Sequence, residues 1–496
     1  MNFADYADFD YPVEPPDYTI SPGEHWFFGV RPDRPPLPPQ FRFNWSSPFI
    51  ISPNNPRTVY FGSSYLFKSV DRGDTWRIVS PDLTTNDPAL RNPNNKGGLT
   101  TENTGGEHHC TIITIAESPL DPGVVWVGTD DGNVQVTRNG GGSWTNVRDS
   151  IPDIPPKIWV SRVDASHFDA GTAYVSLDNH RYDDTKPYVF KTTDFGATWT
   201  DISSNLPDGS AYVIREDFKN PNLLFVGTEF ALHASVDGGK SWSRMMSQLP
   251  TVAIHDLVIH PRDGDLVAGT HGRSIWIADD ITPLQQLTDE VLVKDVHVFD
   301  NRTATKWVRI NQGRKQPDFE FRGTNPPSGA LIHFYLLQAS KDPVKIEIQD
   351  REGQLKEVLE VEGEAGINRV EWNLIFKTTP ANRVAFKKHL YDVMDRLSPL
   401  VSKPEEEQKL ADLVKRLDEA STEDPPPKTE EESEREARER HPDNLLNQIR
   451  RDLVWSFSIY AGGKPFFGDK LAPVSYTHLT LPTNVQQCRS RWSPFQ

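Results

Sequence analysis

The stretch Ser69-Val70-Asp71-Arg72-Gly73-Asp74-Thr75-Trp76 decides the fold, because its pattern, Ser/Thr-x-Asp/Asn-x-Gly-x-Ser/Thr-Trp, returns at Thr137–Trp144, Thr192–Trp199 and Ser235–Trp242. Each copy follows a short run of alternating apolar residues and leads into another, which is how a hairpin turn between two strands reads. Asp71, Asn139, Asp194 and Asp237 are placed to accept hydrogen bonds from turn N–H groups, and Gly73, Gly141, Gly196 and Gly239 to take positive φ. Trp76, Trp144, Trp199 and Trp242 then open the next strand and offer a large apolar surface to a neighbouring sheet. Side chains used this way are structural, so the repeat speaks to fold and says little about activity.

Outward from the turns, the segment from Asn44 to about Asp280 lays over itself as five units of roughly 50 residues, close to the length of a four-stranded blade. Their second strands are Val59–Gly62, Val125–Gly128, Ala173–Ser176, Leu224–Gly227 and Leu266–Gly269. A turn signature precedes each, as in Ser52-Pro53-Asn54-Asn55-Pro56 and Asp217-Phe218-Lys219-Asn220-Pro221. The fifth unit has lost the repeated turn and ends at Ile275–Asp280, as terminal repeats often do.

The four turns resemble the Asp-box, or BNR repeat, of bacterial sortilin/Vps10-like and glycosyl-hydrolase-like β-propellers, within the wider WD40/YVTN/BNR-like group. The resemblance implies a mainly β fold, with a β-propeller followed by an immunoglobulin-like β-sandwich that carries an α-helical insert. It also implies that the box joins the third and fourth strands of a blade, on the side opposite the binding face. Such families use seven or ten blades or two rings in tandem, so five visible blades are expected to be part of a larger ring continuing upstream of Met1.

The resulting divisions are 1–43 as connector and remnant of a preceding blade, 44–285 as propeller, 286–380 as sandwich, 381–455 as helical insert, 456–473 as return to a truncated sandwich, and 474–496 as a non-native tail. The tail is so read because Val474–Thr483 matches a transposon-end sequencing adapter translated in frame. The insert is where the apolar period changes from two to 3.6, with Phe386, Leu390, Val393, Met394 and Leu397 on one helical face and Leu410, Leu413, Val414 and Leu417 on another. Leu445, Ile449 and Leu453 mark a third candidate helix.

Composition narrows the partners. A net charge of -17 over 496 residues, without a basic patch, argues against nucleic acid or an anionic membrane surface. No run reaches the roughly 18 apolar residues of a membrane span. Two cysteines, Cys110 and Cys488, define no disulfide framework. No cofactor or metal is expected: there is no phosphate loop, nucleophile motif or Cys-based zinc pattern, and His108 and His109 would alternate faces on a strand.

Candidates for a ligand site follow from blade geometry, because the loops joining second to third strands and those entering the innermost strand share one end of the propeller. They are Asp130, Asp131, His180, Arg181, Asp183, Asp184, Glu229, His271 and Arg273, with Glu107 and His108 entering the second blade. In the innermost strands Arg162, Asp164, Arg215 and Asp256 share one parity, facing the central channel, and apolar Ile115, Val163, Ile214 and Leu257 share the other. The four charged residues fit either an anion-binding channel or a structural ion-pair network.

Two functions are open at this point. The resemblance first implies a sortilin-like module that binds protein or peptide. The alternative is a glycoside hydrolase of xyloglucanase-like or sialidase-like type acting on a glycan, which would need two carboxylates facing each other across a cleft. An arginine triad of sialidase type is incomplete, since Arg162 and Arg215 have no third partner in sequence. An extracellular or periplasmic location is implied by the resemblance, although Met1–Tyr6 lacks the start of a secretory signal.

Overall fold

The computed structural model describes residues 41–91, 108–245, 249–304, 329–349, 356–374, 380–401 and 403–423, with separate helical positions between 442 and 452. Glu107, the connector before residue 41 and the tail after 473 lie outside the described residues. The chain forms two compact units, Met1–Leu287 and Thr288–Gln496.

The first unit is a run of antiparallel sheets in chain order. The first sheet contains β1 (Phe49–Ile51), β2 (Val59–Gly62), β3 (Leu66–Ser69) and β4 (Arg77–Ile78). The second has β5 (Ile112–Glu117), β6 (Val125–Thr129), β7 (Val134–Thr137) and β8 (Thr145–Asn146). The third has β9 (Trp159–Ala165), β10 (Ala173–Asp178), β11 (Tyr188–Thr192) and β12 (Thr200–Asp201). The fourth has β13 (Ala211–Glu216), β14 (Leu224–Thr228), β15 (Leu232–Ser235) and β16 (Ser243–Arg244). The fifth has three strands, β17 (Ile254–Ile259), β18 (Leu266–Thr270) and β19 (Ile275–Ala278). The first strand of each sheet packs beside the first strand of the next. Four-stranded meanders stacked through their first strands are blades of β-propeller type.

The repeated turns explain themselves at atomic level. In the third sheet the Thr192 hydroxyl donates to Asp194 Oδ1 at 2.8 Å and accepts from Gly196 N–H at 2.9 Å. Asp194 then accepts from Thr198 N–H at 2.9 Å and from the Thr198 hydroxyl at 2.7 Å. The same pattern holds for Ser69, Asp71 and Thr75 and for Ser235, Asp237 and Ser241. At Asn139 the amide nitrogen donates to the Ser143 hydroxyl, replacing the bond that a carboxylate would accept. The turns also lock neighbouring sheets together, because Trp144 Nε1 donates to Val79 O and Trp242 Nε1 to Ile202 O in the preceding sheet.

Apolar positions alternate into the interfaces between sheets. Trp126, Val175 and Phe190 meet Val160 and Val163 between the second and third sheets, and Tyr174 and Val189 meet Ile214 and Val226 between the third and fourth. At second-strand ends the approach leaves no room for a side chain. A methyl carbon on Gly128 would lie 2.5 Å from Val160 Cγ1 of the next sheet, and one on Gly62 would lie 2.9 Å from Ile112.

The second unit contains α2 (Asp289–Leu292, numbered after α1 at Thr282–Gln286), β20 (Val296–Val298), β21 (Ala330–Leu336), β22 (Val344–Gln349), β23 (Lys356–Val361) and β24 (Gly366–Trp372). Strands β20, β21 and β24 form one sheet and β22 with β23 a second. Ile332, Phe334 and Leu336 of the first share a core with Ile346 and Ile348 of the second. Helices α3 (Pro380–Leu397) and α4 (Pro404–Glu419) bury Leu390, Met394 and Leu397 against Leu410, Leu413 and Leu417, and Leu446 and Ile449 join them. No described helix is long and apolar enough to cross a membrane.

Candidate functional site

The repeated turns join third to fourth strands, so antiparallel geometry puts the loops between second and third strands at the opposite end of each sheet. Residues named from sequence fall into three groups, the first of which lies within the first strands rather than at that end. Arg162, Asp164, Arg215 and Asp256 form one network across the first strands of three sheets. Arg162 donates to Asp256 at 2.7 Å, Arg215 pairs with Asp164 and lies 4.0 Å from Asp256, and Arg215 Nε donates to Leu257 O at 3.1 Å. Asp164 also accepts the Glu216 N–H at 2.8 Å, so both its oxygens are engaged within the protein. Asp256 is the accessible member, at 53% side-chain exposure.

Asp130 and Asp131 are buried in the wall. Asp130 accepts the Thr111 N–H and hydroxyl, each at 2.7 Å, and Asp131 is held by Thr85 and Thr129. Burial, followed by the adjacent Asp131 charge, pushes the Asp130 carboxyl up to about 7. These residues hold loops rather than present acceptors to a ligand.

The third group lies on the surface. Asp178, itself buried, accepts from His180 Nδ1 at 2.7 Å and from Arg181 at 3.0 Å, and so fixes the loop between β10 and β11. The Arg181 guanidinium lies 4.0 Å from the centre of the Trp159 ring, a cation–π contact. His109 meets the same ring edge to face. Beyond Asp178, His180 contacts Tyr212, Tyr212 stacks on His255 at 4.4 Å, and His255 meets His271 at 4.9 Å. Trp159, Tyr212, His255 and His271 thus form a polar-edged aromatic row over three consecutive sheets.

Burial, then Asp178 and Glu229, pushes the Tyr212 hydroxyl up to about 12, so it stays a neutral donor. Partial burial first and His271 second hold His255 below the usual histidine range. Glu229 is half-buried, its N–H bonded to Ser210 O. Arg273 is exposed and bonds its own Gly272 carbonyl. Asp184 anchors Asn179 and Tyr188, and Asp183 takes a left-handed conformation beside it. His108 enters through a backbone bond to Phe43 O. Among the described residues, no cluster of three or more His, Cys, Asp or Glu side chains is placed to hold a metal ion.

Trp159, Tyr212, His255 and Asp178 were not among the sequence candidates. Tyr212 and His255 sit where the register with the second strand shifts, between Ala211 and Val213 and between Ile254 and Asp256. An extra residue at a bulge re-aims its side chain, so a strict two-residue count passes over it. The available signal was the recurrence of a ring beside a small or branched apolar residue at the starts of β9, β13 and β17.

No family model matches the chain. Over 224 residues it is 29% identical to a xyloglucanase from Paenibacillus sp, a match covering 40% of this chain and 20% of that protein. The chain therefore spans about a fifth of that relative's length. Among solved structures, the GH74 xyloglucanase from Xanthomonas campestris is 21% identical over 49% of this chain and 37% of its own, at a TM-score of 0.37. YCF48 bound to D1 peptide is 14% identical over 48% of this chain and 72% of its own, at a TM-score of 0.30.

Proposed function

We propose that the first unit is a carbohydrate-binding part of a glycoside-hydrolase-type propeller, with a polysaccharide of the xyloglucan class lying along Trp159, Tyr212, His255 and His271. The observation that carries this reading is the aromatic row itself. Sugar rings present C–H faces that pack on aromatic rings and hydroxyls that need donors and acceptors, and the row supplies both, with Arg181, His180 and Glu229 along it. The xyloglucanase relative supports this carbohydrate reading over the sortilin-like one. We read the four-residue ion network as a brace that spaces the first strands and leaves Asp256 accessible at the channel. The second unit we read as an immunoglobulin-like support with a helical insert, and the whole as extracellular or periplasmic.

Native gel electrophoresis in xyloglucan tests the proposal. The chain is expected to be retarded, and Trp159→Ala and Tyr212→Ala each to weaken retention about tenfold, a loss of about 1.4 kcal/mol, with unchanged melting. Equal mobility with and without polysaccharide would overturn it, as would retention unaffected by both substitutions. Capture of a peptide at the same face without carbohydrate binding would return the chain to the sortilin-like reading. Release of reducing ends, abolished by Glu229→Gln or Asp256→Asn, would extend the function from binding to hydrolysis.

A further inference from the structure

We propose that Asp178 and His180 form a general-base dyad that hydrolyses acyl esters, those substituting the hydroxyls of the bound polysaccharide. That the ester is carried on a glycan rests on the carbohydrate reading; the dyad itself rests on geometry in the third sheet. Asp178 ends β10 and His180 opens the helical turn after it. His180 Nδ1 lies 2.7 Å from both Asp178 oxygens. A carboxylate only accepts, so Nδ1 carries the proton and Nε2 the lone pair. The Asp178 side chain is 3% exposed and that of His180 40%, so the orienting group is enclosed while the ring it orients reaches solvent. Among the described residues nothing bonds Nε2. Asp178 also accepts from Arg181 at 3.0 Å, which sets a permanent cation beside the base, steadied by the Trp159 ring. Asn179 and Tyr188 each donate to Asp184 at 2.9 Å and pin the rest of the loop, so the arrangement is held before any ligand arrives.

Two other histidines near carboxylates show what is particular to this pair. His167 lies 3.7 Å from Glu216, beyond hydrogen-bond distance, and His260 lies 3.3 Å from Asp263, whose side chain is 32% exposed. Asp178 has its oxygens committed to the His180 N–H, to Nδ1 and to Arg181, so it acts through His180 rather than on a ligand. A glycosidic oxygen needs an acid to protonate it as it leaves, whereas an ester carbonyl needs an activated water and a cation for the developing oxyanion. His180 and Arg181 supply those two. The water oxygen attacks the acyl carbon while its proton passes to His180 Nε2, and the carbonyl π pair moves onto oxygen beside Arg181. The tetrahedral intermediate then reforms the carbonyl, the bond from acyl carbon to sugar oxygen breaks, and that oxygen leaves with the proton from Nε2. The products are a carboxylic acid and the free sugar hydroxyl, and water is the sole co-reactant.

Acetate release from O-acetylated xyloglucan by the full chain, and hydrolysis of p-nitrophenyl acetate, test the proposal. The wild type is expected to turn over both. His180→Ala should lose about a hundredfold in kcat at unchanged melting temperature. Added imidazole should restore p-nitrophenyl acetate hydrolysis by this variant beyond the rate of imidazole alone, which a merely structural histidine would not allow. Asp178→Asn, acting through His180, should lower kcat about tenfold or more and leave KM as it is. His260→Ala, at the opposite end of its sheet, should behave as wild type, which separates the dyad from general imidazole reactivity. Hydrolysis of p-nitrophenyl acetate without retention in xyloglucan gels would support the dyad and remove the glycan reading. Retention without hydrolysis of either ester would overturn the dyad and keep that reading. Rates that His180→Ala leaves unchanged would overturn it as well.

Discussion

At one end of each sheet, Asp71, Asp194 and Asp237 give both carboxylate oxygens to the hydroxyls and N–H groups of their own turns. At the other end, Asp178 holds His180 against the Tyr212 ring and Arg181 over the Trp159 ring, and Tyr212 in turn stacks on His255. The same strands connect both ends. The difference teaches that a repeated, locally satisfied polar group builds the scaffold, whereas the unrepeated side chains at the far end make a recognisable surface. Their electrostatics also run in opposite directions. Hydrogen bonds from the Thr75 hydroxyl first, then from Thr75 N–H and Ser69, lower Asp71 to about 2, while burial raises Asp130 to about 7.

The largest expected effect breaks the turn end. Gly239 has φ of +91°, and a methyl carbon on it would lie 2.9 Å from Ile202 Cβ in the preceding sheet. Gly239→Val should therefore cost about 3 kcal/mol or more, combining backbone strain with overpacking. A urea midpoint equal to wild type would show that the turn does not lock the sheets.

Asp237→Ala should cost less, about 1–2 kcal/mol from loss of the turn hydrogen bonds, and should leave retention in xyloglucan gels unchanged. Weakened retention at unchanged stability would erase the division between the two ends.

The smallest effect sharpens the electrostatic contrast. A carboxyl lowered from 3.8 to about 2, as at Asp71, contributes stability above pH 4 that is lost as the pH falls through about 2. A carboxyl raised from 3.8 to about 7, as at Asp130, contributes stability below pH 4 that is lost as the pH rises through about 7. Asp130→Asn should flatten the decline in melting temperature between pH 4 and 7. An identical pH profile in the variant would place Asp130 in a more polar setting than its burial indicates.

Much of the scaffold was legible because its determinants are local. The Ser69–Trp76 pattern fixes a turn within eight residues, and alternating runs such as Val125–Gly128 fix which face of a strand is apolar. Parity also grouped the charged residues of the first strands, since Arg162 and Asp164 lie two apart on one strand. That parity fits either an anion channel or an ion-pair network, and only the structure shows which pairs form, because Asp256 comes from a strand 94 residues away from Arg162. Asp130 and Asp131 looked like loop carboxylates by position, and only Thr85 and Thr111 folding over them showed that they are enclosed.

The sequence by itself determined the number of sheets in the first unit, the chemistry of the four turns and the helical period of α3 and α4, all of which depend on residues within one turn or one strand. Tertiary structure decided which rings form the surface row and how closely successive sheets approach. Tyr212 and His255 stack only because bulges in neighbouring first strands turn them toward one another. Gly128 is confined by Val160 of the next sheet, a neighbour that the Val125–Gly128 stretch does not itself name. Both outcomes depend on contacts between strands far apart in sequence, and no local pattern encodes that distance.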